Sequence, residues 1–136
     1  MARTNFENLH VYRLAENLGD EVWEIVVQWP VFAKDTVGKQ LVRAADSIGA
    51  NIAEGSGRRA FQDSRRFVRI ARGSLNETKH WLRRAFKRRL LKQVEIDKTK
   101  TIVDELAPRL NAYLASIGPR VAATPAADNG PRTTDN

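Results

Sequence analysis

The sequence contains no cysteine and only two histidines. Without cysteine the chain can form neither a disulfide nor a thiolate zinc site, and it has no cysteine nucleophile. His10 and His80 are far apart in the sequence, so they show no metal-ligand spacing. No paired carboxylates and no nucleophile–base arrangement stand out either. We therefore expect no cofactor, no metal and no enzymatic activity.

Long hydrophobic runs are also lacking. The longest are only a few residues, too short to cross a membrane. Acidic residues near the N-terminus occupy what would be the apolar region of a signal peptide, so we expect a cytoplasmic protein without one. The 136 residues are 42% hydrophobic and 29% charged, which is typical of one globular domain with a real core.

The first half of the chain shows two segments with apolar residues three and four apart, the period of an amphipathic helix. The first is predicted over 6–29, with Asn5 or Asn8 as its N-cap and Pro30 as its stop. Residues 31–36 are predicted as a short link, in which Asp35 or Thr36 caps the second helix. That helix should end at 55–57, where two glycines flank a serine.

The second half predicts two more helices. The third runs from residue 60 or 63 to 89, and its inward face is predicted to hold Phe67, Ile70, Ala71, Ser74, Leu75, Thr78, Leu82, Ala85 and Phe86. After a break at 90–94, Asp97 is the predicted cap of the fourth helix, although Glu95 could already lie within it. Pro108 should kink this helix near 104–107, and Gly118 and Pro119 should end it.

Four helices with short links predict an all-α fold, an antiparallel up-down-up-down four-helix bundle. The bundle should occupy residues 1–118. Residues 119–136 have no periodicity and are rich in Ala, Pro, Thr and Asp, so we expect a disordered C-terminal tail.

Basic charge is concentrated in residues 58–92. This segment holds 13 of the 23 Lys and Arg residues and two acids, a net charge of +11, so the rest of the chain carries −4 of the total +7. Six of these residues share one side of the third helix and form what we call the basic stripe: Arg65, Arg69, Arg72, Lys79, Arg83 and Lys87. Arg66, Arg84 and Arg88 lie beside the stripe, and Arg58 and Arg59 extend it.

The basic stripe favours a polyanion as partner. Arginine dominates, and its planar fork suits phosphate oxygens. An ordinary solvated helix face is the alternative, but such a face usually mixes charge signs. We therefore predict binding of RNA or DNA through the eleven basic residues named above. Because no aromatic ladder accompanies the stripe, contact with the phosphate backbone is predicted rather than base stacking on a single strand.

Two other functions remain open. The protein could be an interaction module whose basic face meets an acidic surface, such as Asp20, Glu21 and Glu24 on the first helix of a neighbouring subunit. A peripheral membrane binder is a weaker alternative, because the core needs the apolar face of the third helix.

Two smaller features are interpreted structurally. The glycines at 55–57 fit no phosphate-binding motif, so we favour a helix C-cap in which Asn51 and Glu54 satisfy backbone groups or a nearby arginine. His80 is predicted to lie at the surface. For Trp23, Trp29 and Trp81, core packing and an interface role stay equally open.

Three segments carry a family resemblance: FENLHVYRLAENL, QLVRAADSIGANIAEGSGRR and RFVRIARGSLNET. The chain resembles, over about 6–114, a bacterial four-helix-bundle family. That family includes the 23S rRNA intervening-sequence proteins and the accessory variability determinant of diversity-generating retroelements. Residues 47–55 and 71–77 are the specific parts, and Ala60, Ser64 and Pro108 depart from the usual pattern.

The resemblance implies a ring-like homopentamer with a basic surface. For the retroelement members it implies association with nucleic acid and a reverse transcriptase, and the intervening-sequence members are encoded inside rRNA insertions. It implies no catalytic residues.

Overall fold

The computed structural model describes residue 6 and residues 9–119, and these form four helices and no strand. Helix α1 spans His10–Val26. Helix α2 spans 31–56 and joins Val31–Ala33, a π-helical stretch Lys34–Gly38, and Lys39–Ser56. Helix α3 is Phe61–Lys87 and α4 is Gln93–Ser116. Each helix packs on the next, and α4 closes on α1. The predicted all-α four-helix bundle is confirmed.

Helix α1 is shorter than predicted at both ends. Its N-cap position is Leu9, whose backbone is extended and whose side chain makes no cap bond. The predicted caps Asn5 and Asn8 lie outside the described residues. The helix ends at Val26, and a turn follows in which the Trp29 N–H donates to the Val26 carbonyl at 3.0 Å. Pro30 follows this turn, so the helix ends three residues before the stop predicted from the proline.

The predicted link at 31–36 is wrong, because these residues are already helical. Pro30 has the fixed φ of proline, −59°, and sits just outside the new helix, where its missing N–H costs nothing. Asp35 and Thr36 therefore lie inside α2 and do not cap it. The Thr36 hydroxyl donates to the Phe32 carbonyl at 2.7 Å.

The junction of α2 with α1 requires a small residue. A Cβ on Gly38 would lie 2.6 Å from Cγ1 of Val26, closer than carbon atoms tolerate. At the other end of α2, a Cβ on Gly55 would lie 3.1 Å from both Cβ of Phe67 and the Ser64 carbonyl oxygen, so α2 and α3 approach closely there. Gly57 is the C-cap residue of α2, as predicted.

The core lies where the four apolar faces meet. Its largest fully buried side chains include Leu18, Leu41, Ile48, Leu106 and Leu110. Some polar groups in or beside it are hydrogen-bonded. The hydroxyls of Ser47 and Ser74 are 2.8 Å apart, and this bond joins α2 to α3. The Thr78 hydroxyl donates to the Ser74 carbonyl at 2.8 Å within α3.

The predicted inward face of α3 is partly wrong. Ile70 and Phe86 are 42% and 54% exposed, whereas Val68 is fully buried and Ser64 is nearly so. The buried face follows residues 64, 68, 71, 75 and 78, which point at α2. Phe67 and Leu82 lie at its edges and are half-buried.

Helix α4 starts earlier than its predicted cap. Lys92 is the N-cap residue, and its backbone N–H donates to the Glu95 carboxylate at 2.9 Å. Asp97 lies within the helix and accepts a hydrogen bond from the Gln93 amide, so its predicted capping role is wrong. The helix continues through Pro108 to Ser116. A kink at 104–107 stays a prediction.

Gly118 ends the bundle with φ +135°, a conformation that other residues rarely adopt. Apart from Pro119, the predicted tail at 119–136 lies outside the described residues. In the described part of the chain, no helix combines the length and apolar composition needed to cross a membrane.

Candidate nucleic-acid interface

The N-terminal half of the basic stripe lines a groove between α3 and α4. Arg65, Arg69 and Arg72 contribute to this groove from α3, and its volume is about 800 Å³. The remaining lining residues are neutral: Gln62, Asn111, Leu114, Ala115 and Ile117. Because no described lining residue is acidic, the groove concentrates positive charge. The three arginines are therefore brought together as predicted.

Two of these arginines also hold α4 in place. Nη1 of Arg65 donates to the Ile117 carbonyl oxygen at 2.6 Å, and the Arg65 side chain is half-buried. Nη1 of Arg72 donates to the Asn111 side-chain oxygen at 3.3 Å. Arg69 lies between them and is also half-buried. These contacts preorganise the guanidinium groups, which lowers the entropy lost when a ligand binds.

The C-terminal half of the stripe is more exposed. Lys79 and Arg83 border a second, apolar groove of about 240 Å³, and Lys87 is the last residue of α3. All three side chains are exposed, and none makes a hydrogen bond or ion pair within the part of the chain that the structure describes. Their charge is available to a partner.

The flanking arginines Arg58 and Arg66 behave differently. Arg58 pairs with Glu54 and lies 3.6 Å from Asp63, and Arg66 pairs with Asp63 at 2.8 Å. Both guanidinium groups also stack on the ring of Phe67, 4.7 and 4.5 Å from its centroid. Local acids therefore neutralise much of this end. The spacings of four and three residues in the pairs Glu54–Arg58 and Asp63–Arg66 could have indicated it.

The other three predicted residues lie beside the stripe. Arg59 and Arg88 are exposed and Arg84 is half-buried. Arg88 is the C-cap residue of α3, and the following Arg89 takes a positive φ of 62°. This turn sends the chain back towards α4.

The side of the bundle formed by α1 and α2, opposite the basic groove, carries a cluster of acidic side chains. Glu16, Asp20 and Asp46 line a groove of about 310 Å³ between α1 and α2. Desolvation, with a contribution from Asp20, raises the pKa of Asp46. Glu21 pairs with Lys98 of α4 at 3.3 Å. Within the described residues, none of the predicted acidic partners pairs with the basic stripe of the same chain.

The aromatic residues divide between core and surface. Trp29 is buried, whereas Trp23 is 55% exposed. Trp81 is half-buried, and its indole N–H is buried without a hydrogen-bond partner. His80 is exposed, as predicted, and its ring stands edge-on to Trp81 at 4.8 Å. The predicted roles of Asn51 and Glu54 beside the glycine C-cap are confirmed, because Asn51 donates to the Ser47 carbonyl and Glu54 pairs with Arg58.

No group of three or more His, Asp or Glu side chains that could hold a metal ion occurs among the described residues. The candidate site is a cluster of basic side chains on a helical scaffold.

The chain is similar to a known family in sequence and to a solved structure in fold. A family model described as 23S rRNA-intervening sequence protein matches residues 7–112. A solved structure from Bacteroides thetaiotaomicron VPI-5482, described as a protein with unknown function from the S23 ribosomal protein family, has a similar fold. Its TM-score is 0.68 at 20% sequence identity, and the match covers 78% of this chain and 99% of that one. No curated protein matches the sequence.

Proposed function

The chain belongs to the 23S rRNA-intervening sequence protein family, and from this premise we propose that it is a non-enzymatic, oligomeric protein that binds the phosphate backbone of RNA or DNA. The contact surface is the basic stripe on α3. The family name links its members to ribosomal RNA, which makes RNA the first ligand to test.

One observation carries the proposal. Five cations of the stripe line grooves between α3 and α4, and three of them share a groove that no described acidic side chain neutralises. A helix face exposed only to water usually carries charges of both signs, because neighbouring like charges repel each other. On this face a chain of phosphates would supply the missing negative charge. Such binding is driven by the release of counterions and therefore depends strongly on salt.

The decisive experiment reverses charge on the stripe. The double variant Lys79→Glu and Arg83→Glu changes two exposed cations that make no hydrogen bond or ion pair within the described chain. The matched control reverses Lys39 and Arg43, exposed cations of α2 on the opposite side of the bundle. Both variants change the net charge equally, so a general charge effect would weaken both alike.

The readout is affinity for RNA and DNA as a function of salt. Loss of two phosphate contacts should lower the slope of log affinity against log salt by about 1.4 for a single strand and about 1.8 for a duplex. The control should keep the native slope. Undetectable binding at low salt, or equal slopes in the stripe and control variants, contradicts the proposal.

A second candidate function is self-association through complementary faces. The acidic groove of Glu16, Asp20 and Asp46 lies on the α1–α2 side and the basic groove on the α3–α4 side, so one subunit could place its basic face on the next. A head-to-tail contact of this kind closes into a ring when the rotation permits. Sedimentation of the stripe variant separates the two functions. Dissociation into monomers favours self-association, whereas an intact oligomer that no longer binds RNA favours nucleic-acid binding.

A homopentamer, a reverse transcriptase partner and a cytoplasmic location stay predictions. Sedimentation, co-purification and localisation would test them in turn.

A further inference from the structure

Phe86 is an apolar side chain left in solvent beside the basic stripe. It is 54% exposed, although it lies on a helix whose other face fills the core. At the turn after α3, Arg89 adopts φ 62°, and Leu90 and Leu91 pack against the core. Phe86 lies next to this turn and forms one side of the apolar groove.

This groove is an apolar slot with a cationic border. Leu82, Leu91, Ile96 and Val103 line it together with Phe86. Three cations stand around it. Lys79 and Arg83 belong to the stripe, and Lys100 pairs with Asp104 at 2.7 Å, a hydrogen bond that raises the Lys100 pKa. Two of the three cations are therefore open to an anionic ligand.

A nucleotide of a single strand matches both properties. Its base presents a flat face that stacks on aromatic side chains, and its phosphate lies close enough to meet neighbouring cations. In a duplex the base is stacked and paired inside the helix, so only phosphates could reach this surface. A leucine or phenylalanine of a protein partner could fill the slot, but it would leave the charges of Lys79 and Arg83 unused.

We infer that this apolar groove, the Phe86 groove, receives an unstacked base of a single-stranded nucleic acid. The groove lined by Arg65, Arg69 and Arg72 then holds the backbone of the same strand. This inference rests on the proposed function and names its substrate class. The two grooves are about 21 Å apart along α3, taking residues 69 and 83 and a rise of roughly 1.5 Å per residue. At about 3.4 Å per stacked nucleotide, at most roughly six nucleotides would join them, and fewer are needed where the strand is extended.

The test compares Phe86→Ala with Phe32→Ala by fluorescence anisotropy. Phe32 is 80% exposed on α2, does not line the Phe86 groove, and controls for the loss of a surface phenylalanine. The probes are a labelled twelve-nucleotide single-stranded RNA and the same sequence as a duplex. Loss of one stacked base should weaken single-strand binding roughly 5- to 150-fold. Duplex binding and the salt slope should not change, because no charge is removed.

Two further measurements sharpen the result. Phe86→Tyr keeps the aromatic ring and should retain native affinity for the single strand. Circular dichroism confirms that each variant keeps its helices.

The inference fails if Phe86→Ala binds the single strand as the native protein does while both still show salt-dependent binding; the proposed function then survives. It also fails if only a protein partner, and no RNA, loses affinity in Phe86→Ala. If the native protein binds no nucleic acid at low salt, the proposed function itself is wrong.

Discussion

Arg65 offers the sharpest test of how the candidate site is built. Its guanidinium reaches from the start of α3 to the carbonyl of Ile117 just past the end of α4, a hydrogen bond of 2.6 Å between residues 52 positions apart. The last carbonyls of a helix have no partner within it and carry partial negative charge. A half-buried cation that satisfies one of them fastens the two helix ends together.

The magnitude follows from this geometry. A hydrogen bond to a charged group contributes about 1.5–3 kcal/mol. We expect Arg65→Met, which keeps most of the aliphatic stem, to lower the free energy of unfolding by this amount and Tm by roughly 5–15 °C. The control Arg66→Met removes an exposed ion pair with Asp63 and should cost about 1 kcal/mol or less.

The assay is urea unfolding followed by helical circular dichroism, at one protein concentration because self-association would shift the apparent stability. Gly118→Ala should also destabilise, since a Cβ there would be 3.0 Å from Nη1 of Arg65 and φ is +135°. Equal unfolding midpoints for Arg65→Met and Arg66→Met would refute the role of Arg65 as a clamp on α4.

Three further stability changes follow from local structure. Asp46→Asn should stabilise the protein at pH 7. Burial and Asp20 raise the Asp46 pKa above 3.8, so the native protein loses stability as pH rises through that raised pKa, and the variant does not. Unfolding curves measured below about pH 4 should show no difference in stability between the two proteins. Pro108→Ala should raise the free energy of unfolding by up to about 3 kcal/mol by restoring a helical N–H, and an unchanged urea midpoint would contradict this. Gly38→Ala should lower the free energy of unfolding by about 1–3 kcal/mol, because the new Cβ would lie 2.6 Å from Cγ1 of Val26. An unchanged Tm would show that α1 can shift to make room for this Cβ at no cost in stability.

The helices could be predicted from the sequence because their signals are local. Three-and-four spacing, Pro30 and the glycines at 55–57 and 118 act within one or two turns of the chain. The predicted helix starts were wrong where two nearby residues could each begin the helix. Asp35 and Thr36 are good cap residues, yet Pro30 could start the helix six residues earlier. Asp97 could have capped α4, but Glu95 bonds the Lys92 N–H first.

The buried face of α3 was harder to predict, because the sequence of one helix does not show which neighbouring helix it packs against. Apolar residues occur around much of α3, so more than one face of the helix could be the buried one. Close packing on α2, fixed by small groups such as Gly55 and Ser64, selected the phase that buries Val68. Phe86 was left in solvent by the same choice.

The helices, the basic stripe and the family could be recognised from the chain alone, because each depends on the order and spacing of residues along it. The surroundings of the basic side chains depend on tertiary packing. The position of α4 turned Arg65 into a clamp and gathered three arginines into one groove, and it opened an apolar slot beside Phe86. These depend on contacts between residues dozens of positions apart, which no local pattern encodes.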